Sequence, residues 1–318
     1  MKKWKGLLFG ILYGLTARAI LTIEFFSDQG PLPTNGLMSF SFLFLVPFVI
    51  GLITAYYNTR VTKAVKIVAL SMPLFAIIGV ILTSVITGVE GIICALMALP
   101  VFALMALLGG LIGIQVFKRN TDKVMISLLM FVPFIVAPLE RYVGSSDKIF
   151  TEETTIVIHA GAPEVWGNVT RVHEITKEEN RISLFQVLGF PRPIKAELDT
   201  VAVGGIRKAA FDRGLFFMET VTQVVPEKVL AFNIKADPAS TPPTALDEHV
   251  MVGGKYFDVM EGKYEIEPIS RSEVRLHLTS KFRLSTNFNF YSGLWSKLIM
   301  RDIQNNILRI VKERSEQK

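Results

Sequence analysis

"HAGAPEVWGNVTRV", His159 to Val172, is the stretch on which the fold turns. It opens as the tail of an alternating run, "EETTIVIHA", which reads as a strand. It breaks at Gly161 and Pro163 and restarts as an amphipathic turn led by Val165 and Trp166, with Val169 on the same face as Trp166. Proline is tolerated at a first helical position, and Glu164 suits the positive end of a helix. A short helix therefore begins directly after a strand, and a polar helical stretch is expected to follow through about Asn180.

Downstream the period returns to two. "TVAVGGIRKAAFD" breaks at Gly204 and Gly205, as a bulge or bend does. "LFFMETVTQV" and "VLAFNIKA" read as strands, with turns at 213–214 and 226–228. After a proline-rich loop at 237–254 come "KYFDVMEGKYEIEP" and "EVRLHLTSKFRLS". The last puts Val274, Leu276, Leu278, Phe282 and Leu284 on one face, and Glu273, Arg275, His277, Lys281 and Arg283 on the other. One wet side marks an antiparallel sheet. The chain closes with an amphipathic helix at about 289–315, whose apolar stripe reads Phe290, Leu294, Leu298, Ile303, Ile307 and Ile310, with Trp295, Ile299 and Val311 widening it. One long helix is the economical cover for a curved sheet, and a strongly bent sheet around one helix leaves an apolar hollow.

Residues 150 to 316 resemble the START-like, or SRPBCC, superfamily with its helix-grip fold, close to the polyketide cyclase/dehydrase-type members. The resemblance rests on "IVIHAGAPEVWGNVTRV" as first strand and helix, "GIRKAAFDRGLFFMETVTQVVPEKVLAFNIKA" as central hairpins, and "YSGLWSKLIMRDIQNNILRIVKER" as closing helix. It implies a cavity for a hydrophobic ligand. Members bind sterols, lipids, polyketides and hormones, and some are enzymes, so such a fold leaves activity open.

The first half is of another kind. Residues 1–143 hold 11 basic and 5 acidic side chains, which accounts for the whole net charge of +6; the remainder holds 23 of each. The second half thus has no basic excess with which to neutralise phosphates, and no nucleic-acid partner is expected. Five apolar stretches, about 6–26, 37–57, 66–87, 91–117 and 124–143, each approach the roughly 20 residues that cross a bilayer. The first carries Arg18 and Glu24 and lacks the small-residue pattern of a cleaved signal. Basic loops (Lys2, Lys3 and Lys5; Arg60, Lys63 and Lys66; Lys118, Arg119 and Lys123) alternate with loops that have no Lys or Arg. The positive-inside rule then puts the N-terminus in the cytoplasm. Five crossings place the C-terminal half on the extracytoplasmic side of the cytoplasmic membrane; four would leave it inside. The fifth stretch, with Pro133 and Pro138, decides between them. Gly109 and Gly113, four apart, permit close helix contact.

The expected architecture is an N-terminal all-α transmembrane bundle of about five helices (1–143), a linker (144–149), and an α+β helix-grip domain (150–318) with a curved antiparallel sheet around a long C-terminal helix. A bilayer and a hydrophobic small molecule are the expected partners; the oligomeric state is left open. One cysteine, Cys94, excludes an internal disulfide, and His159, His173, His249 and His277 lack metal-ligand spacing. No metal or cofactor is expected.

Trp166, Phe217, Tyr256, Met260, Tyr264, Leu294 and Leu298 are candidate cavity-lining residues. Glu219, Arg207 and Asp258 are candidate catalytic groups, since a buried carboxylate can serve as general acid or base. For Glu219 and Arg207 the preferred reading is plainer, an ordinary cross-strand pair on the outer sheet face. Asp258 is read on the face of Tyr256, Met260 and Tyr264. Arg18, the one charge near mid-membrane, is a functional candidate because its burial is costly; carbonyl contacts inside the bundle are the plainer reading. The segment "ISLFQVLGFPRPI", 182–194, is apolar enough to line a cavity mouth, dip into a bilayer, or pack under the long helix. Three functional readings follow: a membrane-anchored ligand-binding domain, a cyclase- or dehydrase-like enzyme, and a transmembrane sensor or transporter with a polar cleft at Arg18.

Overall fold

A computed structural model describes residues 4–23, 36–61, 66–119, 123–144, 146–236 and 252–317. Glu24, Lys63 and His249 lie outside the described residues. The chain divides into two compact units, Met1–Ser146 and Asp147–Lys318.

Unit 1 is helical: α1 (Trp4–Leu21), α2 (Val46–Val61), α3 (Lys66–Ile86), α4 (Ile92–Arg119) and α5 (Lys123–Val143). A π-helical turn, Ser41–Leu45, leads into α2. Among the described residues three runs are long and apolar enough to cross a membrane: Trp4–Leu21, Ser41–Asn58 and Ile92–Phe117. Leu70–Ile86 and Met125–Glu140 are apolar but shorter. The outward faces are apolar, with Phe75, Ile78 and Leu82 on α3 and Leu128, Phe131 and Ile135 on α5 all exposed. The buried positions include Ser41, Thr54 and Ser84. Small residues draw the helices together. A Cβ on Gly109 would lie 2.0 Å from the Phe48 carbonyl oxygen, and one on Gly51 would lie 2.1 Å from that of Ala106, so α2 and α4 touch backbone to backbone.

Unit 2 opens with β1 (Lys148–Ile158), α6 (Ala162–Thr170) and β2 (Arg171–Val172), followed by α7 (Leu184–Val187) and β3 (Pro193–Leu198). Next come β4 (Ile206–Phe211), β5 (Phe216–Val225), β6 (Val229–Ala236), β7 (Phe257–Ser270), β8 (Glu273–Leu284) and α8 (Asn289–Glu316). The strands form one sheet in the order β1-β8-β7-β6-β5-β4-β3-β2. Every strand-to-strand pairing among the described residues is antiparallel. The sheet curves as a half-barrel with α8 across it, the helix-grip arrangement. β1 starts at Lys148, two residues before the expected start of the domain.

Two expectations about elements fail. The polar helix does not continue to Asn180: α6 stops at Thr170, and Arg171–Val172 pairs with β3. The charges beyond it serve α8 instead. Arg314 donates to both Glu179 carboxylate oxygens, at 2.6 and 2.9 Å, and Arg309 donates to the Glu179 carbonyl at 2.7 Å. The second failure is the N-terminal part of the α8 stripe; Ile299, Ile310 and Val311, also expected in it, are buried. Its first three expected core residues, Phe290, Leu294 and Leu298, are exposed, at 71, 57 and 41%. The face turned to the sheet carries Ser292, Gly293, Ser296, Ile299, Met300 and Gln304. Small groups let the helix come close: a Cβ on Gly293 would lie 2.6 Å from the Phe150 ring. Gln304 is fully satisfied there, donating to Glu152 O (3.1 Å) and Ser280 Oγ (3.0 Å) and accepting from Thr154 Oγ1 (2.7 Å).

The main core lies under the C-terminal half of α8. Leu308 and Val311 meet Val165 and Val169 of α6 and the inner sheet residues Ile158, Leu230, Phe232, Tyr264 and Leu276.

Candidate functional site

Two clusters occupy the inner side of the sheet, one charged and closed, the other apolar and half-open. In the first, Arg207 of β4 stands directly opposite Glu219 of β5. Strand alternation puts both on the inner face with Val221 and Ala209, so the expected outer-face pair is corrected. The cross-strand pairing is real, but the side chains are only 4 and 8% exposed, with Nη1 donating to Oε2 at 2.7 Å. The guanidinium carbon sits 5.2 Å from the Phe232 ring centre and 5.7 Å from that of Tyr264. Nη2 reaches the Val169 carbonyl at the end of α6, at 3.4 Å. Arg207 Nε is buried with no hydrogen-bond partner.

Burial pushes the Glu219 carboxyl above the usual carboxylate range, and the Arg207 charge offsets this only in part. Burial also raises the Tyr264 phenol, against the pull of Arg207. For Arg207 burial works against the charge, yet Glu219 and Tyr264 hold it protonated. Such a cluster can donate from a preset fork, or hold a proton on Glu219, wherever a ligand can reach it.

The second cluster surrounds Met300, Phe282, Val259 and Leu284. Phe150, Phe190, Phe217, Ile234, Ala236 and Phe257 pack against it and are only partly buried. Phe211 meets the Phe217 ring edge-on at 5.2 Å. This concave wall of half-covered rings, drawn from β1, β5, β6, β7 and the segment after α7, is the apolar surface available to a guest.

The expected site residues separate accordingly. Phe217 belongs to the half-open wall. Tyr264, 3% exposed, is sealed in the closed core, with Trp166 packed partly buried against it. Met260 and Tyr256 are half-buried. Leu294 and Leu298 line nothing internal, because they face outward. Asp258 does not share a face with Tyr264. β7 bulges at Met260, between the pairs Val259↔Phe282 and Glu261↔Lys281. The extra residue flips the alternation, leaving Asp258 opposite Arg283 on the outer face. Its carboxyl is raised by burial, with Arg283 opposing. Asp258 therefore does not converge with Glu219 and Arg207.

In unit 1, Arg18 lies in the last turn of α1 and meets Glu90, Nε to Oε1 at 3.0 Å, while Nη2 donates to Val89 O at 2.6 Å. Glu90 is 72 residues away in sequence, so nothing in the spacing around Arg18 points to it. Sequence reasoning also passed over Glu140. Buried at the end of α5, it accepts the backbone N–H of Phe40 and of Ser41, both at 2.6 Å, and the Ser41 hydroxyl. A carboxylate thus caps the start of the helical run that becomes α2. Among the described residues no group of three or more His, Cys, Asp or Glu could hold a metal ion.

The site defines a class, a helix-grip unit with an apolar inner wall beside a buried ion pair. No family model matches the chain, and no curated protein matches it in sequence. Among solved structures it is similar to a START superfamily protein from Mycobacterium smegmatis, 11% identical, covering 52% of this chain and 97% of that one, TM-score 0.36. The Zhui aromatase/cyclase from Streptomyces sp. R1128 is 14% identical, covering 52% and 94%, TM-score 0.34. Norcoclaurine synthase from Thalictrum flavum is 14% identical, covering 55% and 98%, TM-score 0.32.

Proposed function

We propose that unit 2 holds an apolar small molecule or lipid against the wall formed by Phe150, Phe190, Phe217, Ile234 and Phe257, and that unit 1 anchors it in a membrane. One observation carries the reading: these large side chains stay partly exposed on the inner side of a sheet whose remaining inner face is packed shut. Exposed apolar surface on a concave wall gains free energy when a guest displaces its water. The apolar outer faces of the unit 1 helices support the anchor, and tethering raises the effective concentration of the wall near lipid. On the loop-charge argument the N-terminus is cytoplasmic and unit 2 extracytoplasmic. A reporter fused at each end tests that topology: opposite compartments mean an odd number of crossings, as five requires, and the same compartment an even number, which contradicts it. Co-purification of an apolar molecule with the full chain, lost on Phe217→Lys, tests the binding.

A second reading, a cyclase- or dehydrase-like enzyme, draws on the Glu219 carboxyl, raised by burial beside a guanidinium with an unpaired Nε. It requires a guest to reach past Phe232 and Tyr264. Turnover of a retained ligand that stops in Glu219→Gln, with retention unchanged, would favour it.

A further inference from the structure

α8 presents an apolar ridge to the outside. Its exposed positions, Phe290, Leu294, Lys297, Leu298, Arg301 and Asn305, recur at helical spacing along one line, and the apolar members lie towards its N-terminal end. That is also the end at which the chain enters unit 2. Lys148, the first residue of β1, pairs with Leu284, the last residue of β8, and α8 starts five residues later. Asp147 is tied to Ser285 at 2.6 Å, and Gly293 rests on Phe150. Two exposed lysines mark the same end: Lys148 Nζ lies 5.4 Å and Lys297 Nζ 6.0 Å from the centre of the Phe150 ring.

The chain leaves α5 at Val143 and enters β1 at Lys148. Five residue steps span at most about 17 Å. With unit 1 as the proposed anchor, so short a tether limits how far that end can stand from the membrane. Beside the middle of α8 a second segment adds apolar surface. Asn180 accepts from Asn306 at 2.9 Å, and Phe190 packs against the cluster that holds Met300, so the segment between them starts at α8 and ends at the inner wall. It exposes Ile182, Leu184 and Val187 at 76, 67 and 70%.

From this coincidence we propose that the ridge of Leu294 and Leu298, with the Ile182–Val187 segment, is a bilayer-docking surface, seated in the headgroup and upper acyl region with Lys148 and Lys297 among the phosphates. Burying an apolar helical face at that depth is the ordinary mode of interfacial helices, and lysine stems reach past such a face to the headgroups. The two lysines favour anionic lipid. The proposal rests on the anchoring part of the proposed function but not on the inner wall.

The test uses the full chain in vesicles of phosphatidylcholine and phosphatidylglycerol carrying a photoactivatable diazirine on the acyl chain, followed by peptide mapping. Label on both α4 and the segment Asn289–Arg301 is the expected result. In Leu294→Glu/Leu298→Glu, whose changes lie on the exposed ridge, label on that segment falls several-fold while label on α4 stays. Label on α4 but not on Asn289–Arg301 overturns the docking surface and leaves the anchor standing. Label confined in unit 2 to peptides around Phe217 and Phe257 also overturns it, while reporting a lipid on the inner wall. Absence of label from α4 overturns the anchor and the docking surface together.

Discussion

Arg207 and Glu219 are the buried ion pair on the inner side of unit 2. A guanidinium and a carboxylate are taken out of water together, and their attraction roughly balances the desolvation only while both are present. Glu219→Leu should therefore cost about 3–5 kcal/mol, and Arg207→Met/Glu219→Leu should recover most of it. Denaturant unfolding of the full chain in detergent, followed by tryptophan fluorescence, reads the difference, since Trp166 and Trp295 lie in unit 2. Glu179 gives the pH signature. Arg314 hydrogen bonds are the largest cause of its carboxyl standing at about 2, against an ordinary 4.5, with Thr176 adding to them and burial opposing. The folded value is below the unfolded one, so this contribution is complete above about pH 4.5 and disappears as pH falls towards 2. In Glu179→Gln, thermal midpoints between pH 7 and 3 should decline less steeply than in the unaltered chain.

At the scale of elements, the sequence exposed periods better than faces. The strand alternation of β8, the extent of α8 and the helix start at Pro163 were all legible, because each depends on local spacing. What failed depends on distant partners. The greasy positions Leu294 and Leu298 resemble core by period alone, yet the sheet accepts the small and polar side, because Gln304 finds Thr154, Glu152 and Ser280 across the interface. Asp258 was misplaced because nothing in "DVMEGKYE" announces that Met260 is the bulged residue. The inner wall was legible only at Phe217. Phe150, Phe190 and Phe257 come from three separate segments, β1, the stretch after α7 and β7, and only the fold brings them together. Two glycines fix how closely elements approach. Gly109→Leu must drive α2 from α4 and should cost more than about 3 kcal/mol, read as lost thermal stability and monodispersity in detergent. On β7, a Cβ at Gly262 would lie 2.4 Å from the Phe232 ring. Gly262→Ala should cost about 1–3 kcal/mol, and Phe232→Leu in the same chain should relieve part of that in the same melting assay.

For the whole molecule, charge and hydropathy divide the chain where the structure does, near residue 146. Unit 1 exposes apolar side chains along its helices and buries Ser41, Thr54, Ser84 and Glu140 beside its apolar core, whereas unit 2 turns mostly polar side chains outward. The exceptions in unit 2 carry the functional account: an apolar wall inside that stays partly open, and an apolar ridge outside at the tethered end. The measurement that bears most directly on the central claim is native extraction of the full chain, with mass spectrometry of what it retains. The account predicts an apolar molecule held in near-stoichiometric amount, and lost in Phe217→Lys/Phe257→Lys with unit 2 still folded. Repeated recovery of folded protein with nothing bound, and with the rings of Phe190, Phe217 and Phe257 closed on one another, would contradict it.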